Sequence, residues 1–393
     1  MSRKPNRTGQ KWRTTPLVIL LMVVSASAVG ESDYTIWIPR SPTADALYRF
    51  IKDGNAGYID ATGKVLIPPT LPYWGGNGGG EFHDGLLEID VGGGVYVDRS
   101  GRKVIDKGLY RGWDFSEGLA TALEKKEGGK WGYINTTGEF AISPRFPSHP
   151  DGYVSSFAEG LAAIETGERV GYIDQSGSFV IAQKFLEGHS FHDGMARVVA
   201  EGPCVYLRPE PGGILPRSTT ASQTVPSCKY TFIDKTGSIL SPQRYDDAGS
   251  FSEGVAPVRI GEVWGYVDKQ GRTVISPKFD TAAPFSDGLA LVSEKHLYGY
   301  IDHSGAYVIR PQFEYGEDFA DGLAVVGEPL YRCWYIDHRG NRAIPDDFAI
   351  ASPFFKGIAH VKLFSGIRND KVWGRGSFAY VDRTGKIIFS EER

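Results

Sequence analysis

Short runs of alternating apolar and polar residues, broken by polar turns, follow one another along most of the chain. Residues 285–313 show the pattern. Residues 289–293 and 297–301 alternate as half-buried strands do. Asp302, His303, Ser304 and Gly305 interrupt, and 306–309 resumes the alternation. An Asp side chain accepts hydrogen bonds from turn N–H groups, and Gly tolerates positive φ, so this reads as a hairpin turn. The block predicts three antiparallel strands, called here leading, middle and trailing.

The block recurs. The middle strand carries an aromatic, Ile or Val, Asp or Asn, two free residues and Gly. Nine copies start at Tyr58, Tyr96, Tyr133, Tyr172, Phe232, Tyr266, Tyr300, Tyr335 and Tyr380. The leading strand follows a second motif: Phe, any residue, usually Asp or Glu, Gly, then an apolar residue. It starts at Phe82, Phe115, Phe157, Phe191, Phe251, Phe285, Phe319 and Phe354, and its last copy has Lys356 in place of the acid. From middle-strand aromatic to the next Phe the gap is 19 residues in six of eight cases. The leading-to-middle connection absorbs most of the length variation.

This predicts an all-β chain, a tandem array of about nine β-meander repeats of ~35 residues each. Three strands leave the chain at the end opposite its start. The stretch from Pro311 to Gly322 must therefore carry it back, and is long enough for an extended crossing that would count as a fourth strand. Four strands per unit would suggest a β-propeller. With no split unit in sight to close a ring, the reading favours an open, solenoid-like stack, with the propeller as the alternative. An open stack needs capped ends. Residues 29–46 form the expected N-terminal cap, with the array over 47–393 and the charged 391–393 blunting the last edge.

Composition agrees. Gly makes up 50 of 393 residues, nearly twice the usual share of ~7%. Aromatic residues at 12% and apolar residues at 41% exclude disorder. Residues 1–28 read as a signal peptide: Arg3, Lys4, Arg7, Lys11 and Arg13 precede an apolar run over 17–24, then Ala26-Ser27-Ala28. That run is too short to span a bilayer, and no transmembrane helix is expected in the mature chain. The expected address is exported, periplasmic or secreted. The formal net charge of −4 includes those five bases. The remainder is more acidic, which argues against nucleic acid as a partner.

The chain resembles the WG, or KWG, repeat family. Lys130-Trp131-Gly132-Tyr133-Ile134 carries the family core literally, and Trp264-Gly265-Tyr266-Val267 nearly so. The resemblance extends over roughly residues 45–390. It implies a bacterial, often exported protein, and supplies no catalytic residues.

Candidate chemistry is sparse. No nucleophile elbow, zinc-protease motif or phosphate loop is present, so no catalytic residue, metal ligand or cofactor is assigned. The turn Asp residues and the acids of the Phe motif read as turn formers. His189 and His192 are spaced H-x-x-H but lack a third ligand, and read as exposed loop residues. Alternation puts Trp131 with Tyr133, Trp264 with Tyr266 and Tyr298 with Tyr300 on one face. Trp131, Tyr133, Trp264, Tyr266, Tyr298 and Trp373 are therefore the candidate binding aromatics, though such ladders more often pack one unit on the next. Two leading-to-middle loops are swollen, near 201–229 and 365–377. Cys204 and Cys228 flank the first and form a candidate disulfide. Cys333 is left as a small buried residue.

The function expected is an exported, non-enzymatic binding or scaffolding surface for a protein or polysaccharide of the cell envelope. The alternatives are a hydrolase of extracellular or envelope polymers and a purely structural envelope component.

Overall fold

The computed structural model describes residues 46–391, apart from 73–80, 91–92, 107, 125–127, 148–152, 168, 201–227, 329–331, 365–366, 369–370 and 373–376. The signal segment, nearly all of the cap and most of the first insertion lie outside the described residues, as do Cys204 and Trp373. The described residues contain strands and turns and no helix.

Among the described residues, nine antiparallel sheets of three or four strands follow one another along the chain, one per repeat. A two-stranded ribbon, Ile367–Arg368 with Lys371–Val372, rises from the second insertion. The seventh sheet shows the plan. Its strands Thr281–Ala282, Ala290–Glu294, Leu297–Ile301 and Tyr307–Phe313 lie side by side in chain order. The segment expected to carry the chain back is thus the short entry strand of the next sheet. In the fourth sheet it shrinks to one bridge, Val154 with Ile164.

The pairing of middle and trailing strands explains the Trp-Gly dipeptide. In the sixth sheet Trp264 pairs with Phe279 and Tyr266 with Ile275, so the trailing strand carries extra residues and bulges. Pro277 sits in the bulge, where a missing N–H costs no ladder bond. The bulge passes directly over Gly265. A Cβ there would stand 2.5 Å from the Ile275 carbonyl oxygen and 2.6 Å from the Pro277 nitrogen. The glycine is needed for room.

The core lies between sheets. One cluster joins Tyr266, Ile275 and Phe279 of the sixth unit to Phe285, Ala290 and Val292 of the seventh. A buried phenol needs a hydrogen-bond partner, and six repeats supply the same one. Tyr266 donates to the carbonyl of Ala283 at 2.8 Å and Tyr300 to that of Glu317 at 2.8 Å. Tyr96, Tyr133, Tyr172 and Tyr335 do likewise, each reaching the residue two before the next Phe. In the fifth unit Phe232 has no hydroxyl, and Arg197 crosses instead to the Ala248 carbonyl.

The acids of the Phe motif do more than turn the chain. They occupy left-handed backbone, as Asp287 does at φ 51°. Each also accepts a hydrogen bond from the motif glycine of the next unit. Asp193 takes Gly254 N–H at 2.7 Å, and Asp287 takes Gly322 N–H at 2.7 Å. The series runs from Asp84 to Asp321. It stops at Lys356, which cannot accept.

The array closes on itself, so the open stack expected from the sequence is corrected to the ring alternative. Tyr48 of the first sheet donates to the carbonyl of Phe355 in the last at 3.0 Å. Tyr380 donates back to the carbonyl of Arg49. Phe50 and Phe389 meet at 4.8 Å between ring centroids. The missing split unit misled because closure here needs no shared sheet. A complete first sheet packs face to face on a complete last one.

Two stability tests follow. Gly265→Ala should lower stability by at least ~2 kcal/mol, because backbone must move to admit the methyl group. Tyr380→Phe should cost about 1 kcal/mol, the usual worth of one hydrogen bond. Denaturant titrations of both variants check the two figures, and equal stability of Gly265→Ala and wild type would refute the crowding argument.

Candidate functional site

The repeated aromatics are largely spent on packing. Tyr133 and Tyr266 are completely buried, with their hydroxyls bonded to the next unit. Trp131, Trp264 and Tyr298 are half-buried. Trp131 and Trp264 lie against the inter-sheet clusters. These residues do not form an open ladder.

The repeated carboxylates are also occupied. Asp302 Oδ1 accepts from Ser304 N–H at 2.9 Å, Ser304 Oγ at 2.5 Å and Ala306 N–H at 3.2 Å. The Ser304 hydroxyl leads in holding this carboxyl below its ordinary range. Among the described residues, no three His, Cys, Asp or Glu side chains are placed to share a metal ion.

The histidines differ from expectation at two positions, His189 and His192, both half-buried. His189 is half-buried, between Glu187 and Arg197, with Arg197 Nη2 3.1 Å from its Nε2. The Arg197 guanidinium also lies 5.1 Å from the centroid of the Tyr230 ring. His303 and His338, both in free turn positions, stack on Phe285 and Phe319 of their own units, at 4.0 and 4.5 Å.

Cys228 is disulfide-bonded. Cys333 is a free, buried thiol. Burial, then the charge of Glu317, pushes it up to about 12, which makes it a poor nucleophile.

Among the described residues, the three most exposed aromatics stand apart from this pattern. Tyr110, Trp113 and Tyr153 are 58%, 50% and 49% exposed. All lie on or beside the entry strands of the third and fourth sheets. Their backbone is firmly held: Tyr110 N–H donates to Leu123 O at 3.0 Å and Trp113 N–H to Thr121 O at 3.1 Å, while Tyr153 O accepts from Glu165 N–H at 2.8 Å. Thr121 pairs with Tyr133, whose hydroxyl reaches Ser155, two residues beyond Tyr153. Trp113 and Tyr153 therefore lie on the entry segments of neighbouring sheets.

A pair of ionisable groups links the second and third units. Asp114 Oδ2 lies 3.7 Å from His83 Nε2. Burial raises the carboxyls of both Asp114 and Glu81. Across the ring, Asp318 occupies the position equivalent to Asp114. Its Oδ1 is buried without a hydrogen-bond partner. Burial, aided by Glu317, lifts Asp318 to about 6.

Sequence reasoning passed over all of these because it followed the repeated residues. The usable signal was departure from the repeat. Two residues before the Phe, where Trp113 stands, other units carry Gly80, Ser155, His189, Gly249, Ala283, Glu317 or Ser352.

Known proteins bear on the fold. A profile for the WG containing repeat matches residues 131–169, 171–202, 230–264, 264–295 and 298–327. The chain belongs to the WG-repeat family. The crystal structure of a eukaryotic initiation factor superposes with a TM-score of 0.59 at 13% identity, over 89% of this chain and 96% of that one. BamB from Moraxella catarrhalis covers 88% of this WG-repeat chain and 91% of its own at 12% identity, with a TM-score of 0.37. A computationally designed protein, Ika8, reaches 0.39 at 10% identity over 88% and 96%. Only the first of these scores bears on architecture, and it speaks for the fold alone. No curated protein matches the chain. Repeat family and fold together make this a repeat-based binding or structural protein.

Asp318 gives a pH test. Its pKa in the fold lies above the ordinary aspartate value, so folding favours the protonated acid. The penalty is absent below about pH 4 and complete above about pH 6. Asp318→Asn should therefore raise stability by about 2 kcal/mol at pH 7.5 and leave it unchanged at pH 3.5. Thermal melts at the two pH values decide this, and equal effects at both would refute it.

Proposed function

We propose that this chain is an exported binding protein whose ring is a scaffold and whose recognition surface is the entry-strand patch of Tyr110, Trp113 and Tyr153. Its partner is a protein or polymer of the cell envelope. One observation carries the reading. In a molecule whose repeated aromatics are packed away, these three are about half exposed on backbone fixed by hydrogen bonds. Exposed aromatics on a rigid support are what binding surfaces use. The signal-like pattern of residues 1–28 and the disulfide at Cys228 support the export half of the reading.

The test is affinity capture from the envelope and secreted fractions, with wild type and Trp113→Ala as baits. Wild type should retain a component that Trp113→Ala loses by about tenfold or more, a difference near 1.4 kcal/mol. Equal retention by both baits would move recognition away from this patch and sink the proposal.

A further inference from the structure

We infer that the ring has a built-in opening: while the rest stays folded, it parts between its ninth and first units and at no other interface. The inference does not depend on where the ring binds a partner. Nine units make nine interfaces, and each interface holds one hydrophobic cluster. The seam between the last unit and the first is built differently from the other eight.

Each of those eight sets a middle-strand aromatic against the Phe of the next unit, with ring centroids 4.7–5.2 Å apart. The first unit has no such Phe, because the equivalent position, four residues before Leu47, is Thr43. Tyr380 meets Tyr48 instead, at 5.7 Å. Seven interfaces also carry the bond from motif acid to motif glycine, 2.7–3.1 Å long. The ninth unit offers the seam Lys356 in place of that acid. Among the described residues, the seam cluster holds five buried side chains, against seven to twelve in the others. Tyr380 is 7% exposed, whereas the other eight middle-strand aromatics are at most 1% exposed.

The seam has one contact of its own, from the Tyr48 hydroxyl to the carbonyls of Phe355 and Lys356 at 3.0 and 3.2 Å. A hydrogen bond between neutral groups is weaker than one to a carboxylate, and it does not replace the burial of a Phe ring. The Tyr380 hydroxyl bond only matches what six other interfaces have. Connectivity adds to the difference. Successive units are tied by the chain itself, while among the described residues no sheet combines strands from both ends. Face packing alone holds the seam. Opening there uncovers the apolar faces of the first and last sheets and leaves eight interfaces packed, which makes it the sub-global step of lowest cost.

The test alkylates buried thiols in the folded full chain, without reductant. Ile59, Ile134 and Ile301 each follow the middle-strand aromatic of their unit and are fully buried. They belong to the clusters of the seam, of the second and third units, and of the sixth and seventh. Each is changed to Cys in turn, and mass spectrometry follows its labelling relative to Cys333, buried between the eighth and ninth units of the same molecule. The ratio cancels a general loss of stability. Ile59→Cys should label at least about tenfold faster, relative to Cys333, than Ile134→Cys or Ile301→Cys. Its rate should also depend less on urea, because seam opening exposes less surface than global unfolding. Adding Tyr48→Phe should speed labelling at position 59 about fivefold and leave the ratios at 134 and 301 unchanged. Equal ratios at the three positions, a higher ratio at 134 or 301, or a Tyr48→Phe effect shared by all three would overturn the inference. If Ile59→Cys does not fold, Ile358→Cys reads the same cluster from the ninth sheet.

Discussion

No sheet in this molecule can bury its own two faces. The sheet of each repeat has three or four strands, and each hydrophobic cluster draws on two neighbouring units. Packing between sheets is therefore the constraint on which everything else depends. The middle-strand tyrosine serves it twice. Its ring fills the gap between sheets, and its hydroxyl crosses the gap to a carbonyl that would otherwise be buried unpaired. The fifth unit supports this reading, because losing the hydroxyl at Phe232 is accompanied by a long arginine reaching a nearby carbonyl.

The same constraint decides which groups remain for recognition. A repeated residue is needed in every unit for the same structural purpose. The turn aspartates bond their own turns, and the Phe-motif acids bond the glycine of the next. Conspicuous carboxylates recur in every repeat, yet they are the ones already engaged. Recognition is left to positions where one unit differs from the rest.

This also marks what the sequence disclosed. Strands, turns and repeat number were legible because each unit faces the same local demands: positive φ at Gly305, an Asp to cap the turn, room under the bulge at Gly265. The entry strand was visible only as a crossing of suitable length. Ring closure was not legible, because it depends on twist accumulated over nine sheets, and no residue states that sum. Tyr48 and Phe389 read as ordinary strand aromatics, yet they make the seam. Trp113 and Tyr153 were missed for the opposite reason, since a search tuned to periodicity discards the aperiodic.

The seam also sets an order of events in folding. Hairpins within a unit join residues a few positions apart, and packing between successive units joins residues a few tens apart. The bond from Tyr48 to Phe355 spans 307 positions. Closing so long a loop costs more chain entropy than any local step, so it follows the local steps. Until it forms, the first and last sheets each leave an apolar face open to solvent. A nascent chain at that stage is a curved ribbon with two adhesive ends. Tyr48 and Tyr380 are the residues that let it join to itself before it joins to a neighbour.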